Sequence, residues 1–399
     1  MQFPARYATL PEYAFPRLRS LLGAHAPGGT EIAMSLGEPQ HAVPDFVGPI
    51  MLEHSARLSK YPPNEGLPAL RESISDWLAR RYRVGAGYRD PDTRIFPLNG
   101  TREGLFAACV ALNPETKNGL KPAVLLPNPF YQCYAVAAIT AGAEPVYLPC
   151  NAETGHLPDF AALPGELLDR TTVAYICSPA NPQGVCADRA YWETLLALAE
   201  KHDFRVFADE CYSEIWRDQP PTGALEVASA ISADPERLVC FHSLSKRSNL
   251  AGLRSGFAVT GAHNIQAMVK FRSYVGAPMP IPAQHAAAAC WRDEAHVDAN
   301  RALYQDKYRI ADEILGNAPG YMAPEAGFFL WLDVGDGEAA ALKLWQQAGV
   351  RALPGKYLSR PIAPEFGGGD PGERFLRLAL VAPAEQIRHG LEAVREVLL

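Results

Sequence analysis

The chain has 399 residues, of which 48% are hydrophobic and 20% charged, and its formal net charge is −7 at pH 7. This length predicts two domains, or one large domain with an appendage, because single hydrophobic cores stop growing below this size. The negative charge of mixed sign argues against general binding of nucleic acids or membrane surfaces, and no apolar run approaches the roughly 18 residues of a membrane span. The N-terminal stretch is charged and has no signal-peptide core, so we expect a cytoplasmic protein.

Strand-like and helix-like segments alternate through the first two thirds of the chain. Apolar residues recur every three or four positions in the helix candidates, and the strand candidates are short apolar runs. In chain order, the predicted elements are a helix at 67–77, a strand at 95–98, a helix at 102–112, a strand at 123–126, a helix at 131–141, strands at 145–148 and 173–177, a helix at 190–202, and strands at 206–208, 238–242 and 257–260. This alternation favours an α/β fold with a mostly parallel sheet.

The last third of the chain begins after a Pro/Gly-rich stretch at 276–282 and has a different pattern. The elements predicted there are a long helix at 284–315, a strand at 328–332, a helix at 338–348, a strand at 375–380 and a terminal helix with one apolar face. These elements predict a smaller α+β unit. We therefore expect a large domain at 46–281 and a small domain formed by 1–45 and 282–399.

The sequence predicts no metal site. The eight cysteines never occur as C-x-x-C and are expected to be buried thiols, and the chain contains no H-E-x-x-H. Two glycine-rich stretches imitate nucleotide-binding loops: 367–372 matches G-x-G-x-x-G without a preceding strand, and 349–357 has the wrong spacing for a P-loop. The first is expected to be a surface loop, and the second is not expected to bind a nucleotide.

Polar residues follow the predicted strands at the end where parallel α/β sheets bind their ligands. Each has an ordinary explanation when taken alone: a capped helix, a turn, a buried ion pair or a solvated loop lysine. The residues are Asn99, Gly100, Thr101 and Arg102 after the strand at 95–98, Tyr131 after 123–126, Asn181 after 173–177, Asp209 and Tyr212 after 206–208, and Ser243, Ser245, Lys246 and Arg254 after 238–242.

Together, these residues suit a flat, phosphorylated, nitrogen-containing aromatic aldehyde. Small residues at a helix N-terminus, with hydroxyls and an arginine, can hold a phosphate. A lysine amine can form a Schiff base with an aldehyde, and a carboxylate can keep a ring nitrogen protonated. This combination predicts pyridoxal 5′-phosphate as the cofactor.

The stretch around Lys246 reads S-x-S-K-x-x-x-L-A-G-L-R-x-G and resembles the lysine signature of the class I/II aminotransferases, which are fold-type I pyridoxal-phosphate enzymes. The resemblance covers essentially the whole chain and implies a large domain with a mostly parallel seven-stranded sheet, a smaller α+β domain, and amino-group transfer between amino acids and 2-oxo acids. Further matching stretches lie at 61–66, 99–103, 181–184, 209–212 and 375–378.

The resemblance assigns a role to each candidate residue. Lys246 would bond the cofactor and later move the α-proton, Asp209 would pair with the ring nitrogen, and Arg377 would bind the substrate α-carboxylate. The other assignments are Tyr212 as a further catalytic residue, Asn181 and Tyr212 at the ring oxygen, Asn181 also beside the substrate, Tyr131 stacked on the ring, Gly100, Thr101, Arg102, Ser243, Ser245 and Arg254 at the phosphate, Tyr61 at the phosphate of a neighbouring subunit, and the Gly37 N–H at the α-carboxylate. A shared active site implies a homodimer.

A finer resemblance narrows the substrate. Strings such as SLGEPQH, NPFYQCY and FHSLSKRSNLAGLRSGF are similar to bacterial N-succinyldiaminopimelate aminotransferases, which act in lysine and cell-wall precursor synthesis. This implies a ping-pong exchange between N-succinyl-LL-2,6-diaminopimelate and 2-oxoglutarate, with glutamate as amino donor. Ala251 departs from the pattern, which leads us to expect proline there. The distal carboxylate of this substrate needs a cation; Arg17, Arg247 and Lys270 are open candidates, each also explicable as a surface or structural residue.

Other interpretations stay open. The same scaffold fits aspartate, aromatic, alanine or acetylornithine aminotransferases and β-lyases, which amino-donor profiling would separate. A non-enzymatic regulator with an aminotransferase-like domain would carry a DNA-binding segment ahead of it, but the pattern here begins before residue 40 and the net charge is negative. A relative that had lost its chemistry would lack Lys246, Asp209 or Arg377, and all three are present.

Overall fold

The computed structural model describes residues 4–8, 10 and 12–399. The predicted strands and helices are present with boundaries that move by a few residues, except that the predicted helix at 284–315 is divided. The helices at 14–22, 47–53, 165–170, 224–230 and 262–275 were not predicted. The strands are β1 (Ile32–Ala33), β2 (Ile95–Leu98), β3 (Ala123–Asn128), β4 (Glu144–Pro149), β5 (Thr171–Cys177), β6 (Arg205–Asp209), β7 (Leu238–Ser243), β8 (Gly256–Val259), β9 (Phe329–Asp333), β10 (Val350–Arg351), β11 (Leu353–Pro354) and β12 (Phe375–Ala379).

The helices lie between these strands and before and after them. They are α1 (Ala14–Leu22), α2 (Val47–Glu53), α3 (Pro68–Tyr82), α4 (Thr101–Leu112), α5 (Gln132–Thr140), α6 (Gly165–Arg170), α7 (Arg189–His202), α8 (Ala224–Ala230), α9 (Leu244–Arg247), α10 (Ala262–Val275), α11 (Ile281–Arg292), α12 (Ala295–Leu315), α13 (Gly337–Ala348) and α14 (Ala384–Leu398). Within residues 4–8, 10 and 12–399, no helix combines the length and the apolar character that a bilayer-spanning helix requires.

A seven-stranded sheet forms the centre of the molecule, in the order β2-β8-β7-β6-β5-β3-β4. Only β8 runs against its neighbours in this sheet, so the prediction of a mostly parallel seven-stranded sheet is confirmed. The strands β3 and β5 are buried along their whole length, which is why they read as continuous apolar runs in the sequence. The carboxyl ends of β2, β3, β5, β6 and β7 therefore meet at one edge.

Helices cover both faces of this sheet and bury two apolar cores. One core contains Trp77, Trp192 and Trp291, and the other contains Tyr134 and Phe207. All eight cysteines are free thiols; six are buried, but Cys133 and Cys186 are only partly buried, which corrects the expectation that every thiol is shielded.

A three-stranded antiparallel sheet, β11-β12-β9, lies in the last third of the chain. Tyr308 and Leu391 pack in the core beside it, and β1 pairs in parallel with β10, which attaches the N-terminal segment to this part. This pairing agrees with a small domain made of both chain ends. The boundaries 46–281, 1–45 and 282–399 stay a prediction, and residues 1–3, 9 and 11 lie outside the described residues.

The predicted helix at 284–315 is two helices, α11 and α12. The break falls at Asp293, whose carboxylate accepts the backbone N–H of His296 at 3.0 Å. A side chain that bonds the first free N–H groups of a helix starts a new helix there, although the apolar spacing continues through the break.

Candidate active site

A cavity of about 490 Å³ opens at the edge of the main sheet where the parallel strands end. Its wall also includes residues from the N-terminal segment and from β9 and β12. Twelve of the predicted site residues line it: Gly37, Thr101, Arg102, Tyr131, Asn181, Asp209, Tyr212, Ser243, Ser245, Lys246, Arg254 and Arg377. Ten of the twelve were predicted because they follow the strands of one sheet, and the fold does bring those ten together. Gly37 and Arg377 were predicted from the family resemblance.

Lys246 lies on the short helix α9, directly after β7. The Ser243 hydroxyl caps this helix by accepting the Ser245 N–H at 3.1 Å, which fixes the start of the helix that carries the lysine. The Lys246 ammonium donates to the Gly37 carbonyl at 2.8 Å. Burial lowers its pKa to about 8, so a sizeable fraction of the neutral amine is present near neutral pH. A neutral amine is the form that can attack a carbonyl or accept a proton.

Asp209 ends β6 and is 5% exposed. The Tyr134 hydroxyl donates to its Oδ2 at 2.6 Å and the Cys211 N–H to its Oδ1 at 3.3 Å. Burial raises the pKa of this carboxyl, and among the described residues no cationic nitrogen lies within 4.0 Å of it. A buried carboxylate of this kind is stabilised by a protonated ring nitrogen in the cavity.

The loop before α4 is shaped to let Arg254 approach closely. Gly100 has φ +82°, a backbone conformation that is strained for residues with a Cβ, and a Cβ there would lie 2.3 Å from Arg254 Nη2 and displace the guanidinium. Arg254 itself is held by the Ala251 carbonyl at 2.9 Å. The Thr101 hydroxyl lies 3.0 Å from the Cys211 sulfur. An arginine beside the first N–H groups of a helix forms a site suited to phosphate.

Arg377 lies on β12 and is buried, 5% exposed. Its guanidinium donates to the Ser35 carbonyl at 2.8 Å and to Asn181 Oδ1 at 3.2 Å, and it sits over the Phe329 ring at 4.2 Å. Burial lowers its pKa to about 10. In the described part of the chain no carboxylate lies within 4.0 Å of it, so a substrate carboxylate is the natural partner.

The model of the family described as "Aminotransferase class I and II" matches residues 32–394. The chain belongs to this family. It is 32% identical over 401 residues to the LL-diaminopimelate aminotransferase of Dehalococcoides mccartyi (strain 195), an alignment that covers 98% of this chain and 97% of that protein.

Two solved structures extend the likeness. An aminotransferase from Neisseria meningitidis Z2491 has a TM-score of 0.92 and 37% identity, with full coverage of both chains (100% each). A probable N-succinyldiaminopimelate aminotransferase from Thermus thermophilus has a TM-score of 0.83 and 25% identity, and the match covers 96% of this chain and 100% of that one. The fold-type I architecture expected from the sequence is confirmed.

Class I and II aminotransferases depend on pyridoxal 5′-phosphate, and the residues here fit that cofactor. The buried Asp209 suits the ring nitrogen, Arg254 and the N-terminus of α4 suit the phosphate, and Lys246 suits the aldehyde. When bound, the cofactor supplies an aldehyde that takes up the amino group and a ring that accepts electrons from the α-carbon. The roles of individual residues remain our proposal.

The contacts of several predicted residues in the cavity were not foreseen from the sequence. The Arg102 guanidinium donates to the Tyr131 hydroxyl on the cavity wall, and its predicted role at the phosphate stays a prediction. The Gly37 carbonyl accepts the Lys246 ammonium, and the predicted contact of the Gly37 N–H with a substrate carboxylate stays a prediction. A Cβ at Gly37 would lie 2.4 Å from Phe329 Cζ, so this glycine is required by packing. Tyr61 is fully exposed and lies outside the cavity wall, and its contact with a neighbouring subunit stays a prediction.

The cations suggested for a distal carboxylate do not line the cavity. Arg17 stacks over the Tyr357 ring at 3.9 Å, Arg247 is buried and donates to Glu294 at 2.8 Å, and Lys270 lies exposed on α10. The sequence could not separate these from cavity cations, because their direction depends on distant packing. Arg102 is the cation that remains on the wall after Lys246, Arg254 and Arg377.

Sequence reasoning missed Tyr134, Ser35 and Phe329. Tyr134 is buried, donates to Asp209 and stacks on Tyr175 with ring centroids 4.4 Å apart. Its position three residues after Tyr131, on one side of α5, was a usable signal for it. Ser35 contributes only a carbonyl, and nothing in the sequence marks a carbonyl.

Proposed function

We propose that this aminotransferase interconverts diaminopimelate, or its N-succinyl derivative, with the corresponding 2-oxo acid in lysine and diaminopimelate synthesis. In the synthetic direction glutamate gives its amino group to that oxo acid and leaves as 2-oxoglutarate. Support comes from the activities for which its relatives are named and from the charges of the cavity. The observation that carries the proposal is a second arginine: Arg102 stands on the cavity wall beside the Tyr131 hydroxyl, in addition to the buried Arg377. The resemblance placed Arg102 at the phosphate, and we reassign it to the distal carboxylate. A substrate with a carboxylate at each end suits two such cations.

Each side chain of the site has a proposed task. Arg377 and Asn181 orient the α-carboxylate, and the buried Lys246 amine takes and returns the proton at the α-carbon. Asp209 holds positive charge on the ring nitrogen, and Tyr212 lies 3.5 Å from the Asn181 amide in position to contact the ring oxygen. Both substrates use the same cavity in turn, which is a ping-pong scheme.

Free LL-diaminopimelate is the second candidate substrate, because the curated relative at 32% identity is an LL-diaminopimelate aminotransferase. It carries an ammonium group at the distal end, whereas the N-succinyl form carries an amide and a further carboxylate. Glu38 is exposed on the cavity wall and offers a carboxylate to an ammonium group. Glu38 therefore favours free LL-diaminopimelate, whereas Arg102 can bind the distal carboxylate of either substrate.

We also propose a homodimer. Tyr61 is fully exposed in the single chain, and Leu52, Leu58 and Tyr274 are 75%, 67% and 86% exposed. Apolar side chains exposed to this degree favour burial against a partner. In a dimer with two-fold symmetry, Tyr61 would reach the cofactor phosphate of the other subunit. A mass measured by light scattering at enzyme-assay concentration tests this, and a stable, active monomer would remove Tyr61 from the site.

The absorbance spectrum tests the transferase activity itself. We expect the purified enzyme with pyridoxal phosphate to show a yellow band that bleaches with glutamate and returns with 2-oxoglutarate. Lys246→Ala should lose this response, with turnover reduced by about 10³-fold or more, because it lacks the amine that moves the α-proton. An unchanged response in Lys246→Ala would refute the role of the lysine.

Steady-state kinetics decide the substrate. We expect kcat/KM for N-succinyl-LL-diaminopimelate or LL-diaminopimelate to exceed that for aspartate, alanine and phenylalanine by at least roughly 100-fold. Arg102→Gln should lower kcat/KM for the dicarboxylic substrate by roughly tenfold and leave alanine unaffected, since alanine has no distal carboxylate. Glu38→Gln, as a matched change, should reduce only the reaction of the free form. A preference for aspartate or aromatic amino acids would overturn the proposed substrate.

A further inference from the structure

Lys307 is a buried lysine outside the cavity. It lies on α12, is 2% exposed, and within the described part of the chain no carboxylate oxygen lies within 4.0 Å of its ammonium. Its ammonium donates to His41 Nε2 at 2.7 Å and to the Val381 carbonyl at 3.3 Å. Burial lowers its pKa to about 8. A buried cation that has no carboxylate partner lowers the stability of the fold, which indicates a functional role for Lys307.

The contacts of His41 define its protonation state. Its Nδ1 lies 2.7 Å from Asn300 Oδ1, and the same oxygen accepts the Asn249 amide at 3.1 Å. An oxygen in this position requires Nδ1 to carry the proton, which leaves a lone pair on Nε2 for the Lys307 ammonium. A doubly protonated imidazole would direct an N–H at the ammonium. The contact therefore requires neutral His41.

His41 belongs to a stretch that we call the cover segment, residues 35–42. Near one end, the Ser35 carbonyl accepts Arg377 at 2.8 Å and the Gly37 carbonyl accepts Lys246 at 2.8 Å. At the other end, the Ala42 carbonyl accepts the Asn249 amide at 3.2 Å. The cover segment thus joins both proposed functional cations to the Lys307–His41 contact.

Few charged groups other than Lys307 surround His41. From α12 it faces Lys307 and the Tyr304 ring, 4.6 Å between centroids; its other polar neighbour on α12, Asn300, is an amide, as is Asn249 beyond it. Burial and the charge of Lys307 lower the pKa of His41, while the bond to Asn300 opposes them. Tyr304 stacks on Phe328, whose ring lies 5.3 Å from the Lys246 ammonium. A movement of the His41 ring is therefore passed through Tyr304 and Phe328 to the surroundings of Lys246 in the cavity wall.

We propose that Lys307 and neutral His41 are positioning residues that hold the cover segment against Lys246 and Arg377, and that protonation of His41 releases it. The proposal rests on the roles given above to Lys246 and Arg377. Release would move two carbonyls that orient the functional cations while leaving both cations in place. The consequence is weaker substrate binding with little change in the chemical step.

The test compares variants of the full-length holoenzyme. Lys307→Met keeps the shape of the stem and removes the donor, and Lys201→Met removes an exposed lysine on α7 as the matched control. We expect Lys307→Met to raise KM for glutamate by roughly tenfold with kcat within about threefold, and the control to change neither. Hydrogen exchange should quicken in peptides covering 35–42 and stay unchanged in 123–128.

His41→Gln provides the decisive second variant. A glutamine amide can donate to Asn300 and accept from Lys307 but does not titrate in this range, so it should retain kcat/KM within about threefold. The titration of Lys246, whose pKa is about 8, already lowers kcat/KM on the acid side in every variant. In wild type we expect an additional, steeper fall below pH 6.5, since the pKa of His41 is lowered, and we call this additional fall the acid limb. His41→Gln should lose this limb, and Lys307→Met should move it to higher pH.

Each result tests this proposal independently of which substrate the enzyme uses. Unchanged KM and unchanged exchange at 35–42 in a folded Lys307→Met protein would overturn it. If Lys307→Met does not fold, an acid limb that persists in His41→Gln would overturn it. Because hydrogen exchange needs no turnover, it reports on the cover segment even if glutamate is not a substrate.

Discussion

Two neighbouring carboxylates, Asp209 and Glu210, lie on opposite sides of the main sheet and have matching local contacts. Asp209 accepts a hydroxyl from Tyr134 and a backbone N–H; Glu210 accepts the Tyr82 hydroxyl at 3.0 Å and the Ala224 N–H at 2.8 Å. Both are buried and have raised pKa values because of burial. Hydrogen bonding alone therefore does not distinguish the functional carboxylate from the structural one.

Their surroundings differ. Asp209 faces the open cavity, where Lys246 and Arg377 also lie. Glu210 is enclosed behind the sheet with His242, whose ring packs against Trp77 with centroids 5.0 Å apart. A ligand in the cavity can therefore contact the Asp209 carboxylate but cannot reach the Glu210 carboxylate. Access to the cavity, and not the degree of pKa perturbation, identifies the working group.

The largest expected effect comes from making the same change on both sides. Asp209→Asn should lower kcat by about 10³-fold, because an amide does not hold positive charge on the ring nitrogen, while the melting temperature changes little. Glu210→Gln should keep kcat within about threefold and alter stability instead. Kinetics and thermal melting of both variants, with pyridoxal phosphate present, check the pair. Equal loss of activity in both would remove the distinction between the two sides.

The buried arginines extend the comparison with a smaller effect. Arg377 has no carboxylate partner among the described residues, whereas Arg247 donates to Glu294. Arg377→Lys should raise KM for glutamate by about 10- to 100-fold, since a single ammonium replaces a two-pronged guanidinium. Arg247→Lys should leave KM unchanged and lower the melting temperature. If both variants bind glutamate normally, the α-carboxylate is held elsewhere.

The sequence predicted which residues reach the cavity better than it predicted the contacts of their side chains. Asp209 and Lys246 were found because polar residues directly after apolar runs gather at one edge of a parallel sheet. The direction of Arg102 and the contact between His41 and Lys307 were not predictable, since the latter joins residues 266 positions apart. Strand and helix signals act locally, but side-chain directions depend on which distant segment packs beside them.

The smallest effect concerns stability on the enclosed side as pH changes. Burial raises the pKa of Glu210 from 4.5 to about 7, so this group contributes less to stability as pH rises through that window. Burial lowers the pKa of His242 from 6.5 to about 3, so its contribution increases as pH rises toward 6.5. The two slopes oppose each other between pH 4.5 and 6.5.

Replacing one member of this pair should reveal how the other member alone makes the free energy of unfolding depend on pH. Relative to wild type, Glu210→Gln should gain unfolding free energy with rising pH by about 1.4 kcal/mol per unit, and His242→Gln should lose it at a similar rate. Urea denaturation at pH 4.5, 5.5 and 6.5 measures both slopes. Parallel curves for all three proteins would show that Glu210 and His242 titrate as they do in water, and the enclosed side would then be more open than its burial indicates.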